Sequence, residues 1–296
     1  FVNYLYDRIE EEDSFRYDIL EVREGFDYDS FCEAFFSFRT ALGEKNREKV
    51  ESAMEKLAAM EMEHPDLTIL KIRHESMQRG HEQQAWELAK ALFQEDGENS
   101  NTRYWYIRTA LEYEQADANE ELLEELLKSL LDRDPNFPGY WQLMGNYMRR
   151  QGDLSTALGC YQKCQNCSEE HWEFVDVQIR ETAGELADKL EEDPDFDDWW
   201  QLAKICWQGE RYERVRELLE GQKPTDEQKM SWLIMMAGSC HEAEDYEQAA
   251  KYRQELWDAI NPEERPYQLY LDLAEEYRQL GNTQRAMEIY EQAEAD

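Results

Sequence analysis

Between Tyr267 and Ala293 the apolar residues fall on two helical faces separated by a break, and few folds accommodate that pattern. Tyr270, Leu273, Ala274 and Tyr277 recur at i, i+3, i+4 and i+7, the spacing that places side chains on one face of a helix. Gly281-Asn282 interrupts the series, and Ala286, Tyr290 and Ala293 resume it at i, i+4 and i+7. Ala274 and Ala286 are small where two antiparallel helices have to approach, and the tyrosines fill the space beside them. One hairpin of this kind cannot bury its apolar face alone, so similar neighbours are predicted along the chain.

The neighbours are present. Trp141, Met144, Gly145, Met148, Gly152, Ala157, Tyr161 and Cys164 repeat the pattern nearly intact. Trp199, Leu202, Ala203, Cys206, Tyr212 and Leu219 form another unit, and Leu233, Met236, Ala237, Cys240, Tyr246, Ala249 and Leu256 a further one, closed by Pro262. Before Tyr104 the pattern is looser. Phe31, Phe35, Phe38 and Leu42 precede Val50, Met54 and Leu57; Ile69 and Ile72 precede Ala85, Ala89 and Leu92; Tyr104, Ile107 and Ala110 precede Leu123, Leu127 and Leu130. Units therefore start near residues 31, 66, 104, 138, 196, 230 and 267. The stretch Ser168–Asp193 is too short for a full unit, so a degenerate pair starting near 169, or one bent long helix, is expected there. Residues 1–30 match no unit and are expected to form an N-terminal helical cap or extension on an array covering 31–296.

The series of aromatic, Leu, small, Tyr, Gly, Ala, aromatic and Ala residues resembles the tetratricopeptide repeat (TPR) family, most clearly at Trp141–Cys164 and Tyr267–Ala293. The resemblance implies an all-α fold, a right-handed superhelical solenoid of about seven to eight TPR-like helix hairpins. It also implies a concave groove lined by the first helix of each hairpin, and a non-enzymatic protein–protein interaction module of scaffold, adaptor or co-chaperone type. On that register the peptide-binding positions include Trp105, Arg108, Gln142, Asn146, Arg149, Arg150, Trp200, Lys204 and Trp207. Tryptophan supplies rigid area, Asn and Gln can pair with an extended backbone, and Arg can clamp a carboxylate. The two-carboxylate clamp of the chaperone-binding members is incomplete. Asn146 matches it, but Gln142 and Glu173 stand where lysines are required.

Composition narrows the partners. The 296 residues carry a formal net charge of −36, which repels nucleic acid and anionic membranes and leaves a protein or peptide as the expected partner. Along the groove positions the charges nearly balance, with Glu242, Asp272 and Glu275 among the acidic residues and Arg278 among the basic ones. No apolar run approaches the ~20 residues that span a bilayer. Six cysteines without a secreted disulfide framework lead to the expectation of a reducing, cytoplasmic setting. The first residue is Phe1, so a longer parent protein is expected.

Catalytic signatures are missing, and neither cofactor nor metal is expected. His241-Glu242 lacks the second histidine of a zinc-binding helix and is expected to be an exposed polar helix end. Cys160, Cys164, Cys167 and His171 have a spacing that zinc could use, but Cys164 falls at the small buried position of its helix, where cysteine packs as an apolar residue. Asp193, Asp195, Asp197 and Asp198 lack the glycine of a calcium loop; they are expected to lead into the next helix. Two other readings remain: an acidic surface acting as a chaperone or nucleic-acid mimic for a basic protein, and the regulatory TPR part of a larger enzyme or peptide-gated signalling protein.

Overall fold

The computed structural model describes residues 28–44, 46–60, 65–167 and 173–295, and all regular structure among them is helical. The expected cap over 1–30 lies almost wholly outside the described residues, as do His171 and Trp172. The helices fall into two compact units divided between Arg150 and Gln151.

The first unit contains α1 (Tyr28–Gly43), α2 (Arg47–Ala59), α3 (Pro65–Ser76), α4 (Glu82–Asp96), α5 (Ser100–Glu112), α6 (Glu120–Arg133) and α7 (Pro138–Arg150). Helices α1 and α2, α3 and α4, and α5 and α6 pack as hairpins, while α1, α3, α5 and α7 pack side by side in a row. The apolar stripes read from the sequence supply the contacts. Phe31, Phe38 and Leu42 of α1 meet Val50 and Leu57 of α2, all buried. Pro65 and Pro138 each open a helix, where their missing N–H would have no partner in any case. Asn46, Asn99 and Asn119 cap α2, α5 and α6 through their side-chain oxygens. Trp86 of α4 is the largest fully buried side chain among the described residues. Its indole Nε1 donates to Asp117 at 3.1 Å, and its ring centroid lies 5.0 Å from that of Tyr106.

The second unit contains α8 (Leu154–Cys167), α9 (Glu173–Glu192), α10 (Trp199–Gln208), α11 (Tyr212–Leu219), α12 (Lys229–Glu242), α13 (Tyr246–Ala259), α14 (Tyr267–Gln279) and α15 (Thr283–Ala295). Each packs on the next. The irregular stretch is one continuous helix, α9, of 20 residues. It presents Val175, Thr182, Ala183 and Ala187 to the core, all completely buried, and its far end is fastened to α11. Arg211 grips Asp188 with both terminal nitrogens, at 2.5 and 2.8 Å, and Arg214 donates to Glu191 at 2.7 Å. The acidic stretch before α10 is a helix lead-in, with Asp198 accepting from the Gln201 amide at 2.9 Å.

Three helices of the second unit open with a shared device. A residue with positive φ precedes an Asx side chain that caps the following helix: Gly152 and Asp153 at α8, Glu244 and Asp245 at α13, Gly281 and Asn282 at α15. Glu244 holds φ 58°, a region where an L side chain costs about 1–2 kcal/mol and glycine nothing. Part of that gain is offset by the greater freedom of glycine in the unfolded chain. Glu244→Gly is therefore expected to raise stability by about 0.5–1 kcal/mol in urea unfolding.

Candidate functional site

The groove positions read from the sequence occupy first helices in both units. In the first unit, Trp105 is half-buried against the Ile72, Ala89 and Leu92 core. The Arg108 guanidinium lies 5.1 Å from the Trp105 ring centre and donates to Glu112 at 2.9 Å. Gln142, Asn146 and Arg149 are half-buried on α7. Arg150 is committed to the fold: it donates to the Ala110 carbonyl at the end of α5 at 3.0 Å and pairs with Glu120 at the start of α6 at 3.0 Å.

In the second unit, Trp200 and Trp207 are half-buried on α10, against a core that includes Leu202, Ala203 and Cys206. Lys204 is exposed, its ammonium 6.0 Å from the Trp200 ring centre. Trp207 goes further than its neighbours. Its ring spans to α12 and lies over Gly238, where a Cβ would meet the indole at 2.4 Å. Only a glycine lets the ring come that close. Beside it opens a cavity of about 220 Å³, lined by Trp207, Ile234, His241, Glu242, Arg253 and Asp272 among others. Trp200 and Lys204 lie on the same helix but do not line it.

Three of the lining residues, His241, Arg253 and Asp272, belong to a partly buried ionic cluster with Glu276. Arg253 comes from α13 and Glu276 from α14; the Arg253 side chain is 11% exposed and that of Glu276 completely buried. One guanidinium nitrogen of Arg253 contacts Glu276 Oε1, and the other lies 3.5 Å from Asp272 Oδ2. His241 Nδ1 is 2.9 Å from the same Glu276 oxygen; an ionised carboxylate only accepts, so the imidazole donates. Burial holds the Arg253 pKa below its ordinary value, with Asp272 acting in the opposite direction. Nearby, Arg278 clamps Glu275 and holds its carboxyl down at about 2.

One expectation changes here, and one pair of residues is new. His241 is not an exposed helix end: its side chain is 32% exposed and bonded to Glu276. Arg253 and Glu276 were not singled out by the sequence pattern, because each stands at an interior position of its hairpin. Counting from the small residue of the second helix, Arg253 follows Ala249 by four. The corresponding residues after Ala157, Val215 and Ala286 are Tyr161, Leu219 and Tyr290. Glu276 follows Ala274 by two, where Ile205 and Ser239 follow Ala203 and Ala237.

Cys160, Cys164, Cys206 and Cys240 are buried packing residues, and Cys167 is half-buried. Burial raises the Cys160 thiol. Burial also pushes Cys206 up to about 11. Among the described residues no group of three His, Cys, Asp or Glu side chains is placed to hold a metal ion, and no helix is long and apolar enough to cross a membrane.

Ala203, Ala237 and Ala274, all but completely buried, recur at one register position of α10, α12 and α14, and the Asx-capped turns recur after α12 and α14. The fold is TPR-like. No family model matches the chain, and no curated protein does. Among solved structures it is similar to the Cut9–Hcn1 hetero-tetramer of APC/C, with 12% identity and a TM-score of 0.41, over 99% of this chain and 57% of that one. It is similar also to Naa15/Naa10 bound to HypK-THB, with 13% identity and a TM-score of 0.36, over 77% of this chain and 36% of that one. PilF of Pseudomonas aeruginosa shares 12% identity at a TM-score of 0.32, over 76% of this chain and 88% of that one. The chain thus spans little more than half of the first and about a third of the second. Likeness at this level carries no function across.

Proposed function

We propose that the chain is a non-enzymatic protein-binding module, and that the first-helix face of the second unit receives a segment of a partner protein. The cavity beside Trp207 carries this reading. At about 220 Å³ it is smaller than the roughly 300–1,000 Å³ of small-molecule sites, and its size suits a single side chain. Trp207, Ile234, Gly238, His241, Glu242 and Asp272 all stand at positions that the TPR-like register assigns to the binding face. Tryptophan held against a core is an anchor that loses little entropy on binding. In the first unit, Trp105, Arg108, Gln142, Asn146 and Arg149 offer a second surface of the same kind.

Selection from a displayed random-peptide library tests this. The whole chain is expected to retain peptides that Gly238→Leu binds at least tenfold more weakly, because the new side chain displaces the Trp207 ring and fills the cavity. The same substitution should cost about 1–3 kcal/mol through overpacking, which leaves the fold measurable by circular dichroism. Absence of retained peptides, or equal retention by the folded variant, would sink the proposal.

A further inference from the structure

We infer that the cavity beside Trp207 selects a basic side chain, arginine or lysine, of the partner; this rests on the protein-binding reading above. Two carboxylates, Glu242 and Asp272, line the cavity beside one guanidinium, that of Arg253, and a third, Glu276, is buried behind it against the same guanidinium. Both terminal nitrogens of Arg253 are already engaged, one at Glu276 and the other at Asp272, so no free cation is offered to an anionic group. An anion entering the cavity would instead face Asp272 and Glu242, both of which line it. The cluster is also short of donors: the second carboxylate oxygen of Glu276 is buried without a hydrogen-bond partner among the described residues. The charge of Glu276, which is completely buried, is screened less than charge on the surface.

The rest of the lining fits the remainder of such a side chain. Trp207, Ile234, Leu256 and Leu269 supply apolar wall, against which the methylene stem of Arg or Lys can lie while its charged end reaches the carboxylates. A wholly apolar side chain would desolvate the Asp272 and Glu242 carboxylates without adding a donor to either, which costs binding energy. An acidic side chain would add repulsion to that cost. The excess of negative charge over the whole chain, −36, steers a basic segment in the same direction.

The test titrates the whole chain, at fixed ionic strength, with n-butylguanidinium, n-butylammonium, neutral n-butylurea and butyrate. The readout is the Trp207 indole N–H resonance, assigned with Trp207→Phe. Both cations are expected to shift it saturably, n-butylurea at least tenfold more weakly, and butyrate not at all. Glu242→Gln, at an exposed position of the rim, and Asp272→Asn are each expected to weaken cation binding severalfold. The inference is overturned if n-butylurea binds as well as n-butylguanidinium, if butyrate is preferred, if neither acidic substitution matters, or if no cation gives a saturable shift. Library peptides that depend on Gly238 but show no enrichment in Arg or Lys would overturn it as well, while leaving the protein-binding reading intact. A library that yields no peptides removes both.

Discussion

Arg253→Met is expected to lower the unfolding free energy by about 3–5 kcal/mol, because it leaves Glu276 charged in the interior without its partner. Glu276 is completely buried and one of its oxygens has no hydrogen-bond partner among the described residues, so the remaining contact with His241 cannot replace the guanidinium. Replacing both members should behave quite differently. Arg253→Tyr with Glu276→Ile installs the residue types found at the equivalent places of the neighbouring hairpins, Tyr161 or Tyr290 and Ile205. Exchanging a buried ion pair for apolar groups of similar volume is often neutral, or stabilising by about 1–4 kcal/mol. Urea unfolding of the two variants checks the contrast. If both are destabilised alike, the pair is required for the fold and its place in the hairpin interior needs no functional reason.

The largest expected effect in the first unit is at Trp86. Trp86→Ala should cost about 3–5 kcal/mol, the range for removing a buried aromatic side chain. The ring is 1% exposed and packs on Tyr106, while its indole N–H reaches Asp117, which Lys90 also grips. Trp86→Phe separates the two contributions. It keeps most of the apolar area and loses the hydrogen bond to an exposed carboxylate, so a loss near 1 kcal/mol is expected. Equal losses in the two variants would place the stabilisation in the Asp117 contact instead of in the packing.

Much of this architecture was legible before any coordinates. Unit starts near 66, 138, 230 and 267 fall within a residue of Pro65, Pro138, Lys229 and Tyr267, and those near 31, 104 and 196 fall three or four residues from Tyr28, Ser100 and Trp199, because apolar period and Gly or Pro punctuation are local signals that mark an element better than its ends. The long α9 was legible only as one of two alternatives: a stretch too short for a hairpin has to be filled by one helix or a poor pair, and one helix fills it. That the acidic stretch ending at Asp198 leads into a helix followed from residue type and place alone.

The site was less legible, and the reason is physical. Periodicity finds positions where an apolar residue is present; a charged residue at such a position looks like solvent-facing sequence until its counter-ion is known. Arg253 and Glu276 are 23 residues apart and neutralise each other only once α13 and α14 pack. His241 was misread for the same reason, since its acceptor lies on the next first helix. At Arg150 the groove register identified an exposed arginine, but the carbonyl it serves belongs to Ala110, forty residues earlier. What the sequence did hold, unrecognised, was the departure itself: Arg four residues after Ala249, where three sister hairpins place Tyr or Leu.

The measurement that bears most directly on the binding face is the affinity of library-selected peptides for the Arg253→Tyr, Glu276→Ile variant. The account predicts a protein at least as stable as the parent that binds those peptides at least tenfold more weakly, because a tyrosine replaces Arg253 in the lining of the cavity while the helices remain. Undiminished affinity in a folded variant would contradict it and move the binding face elsewhere on the chain.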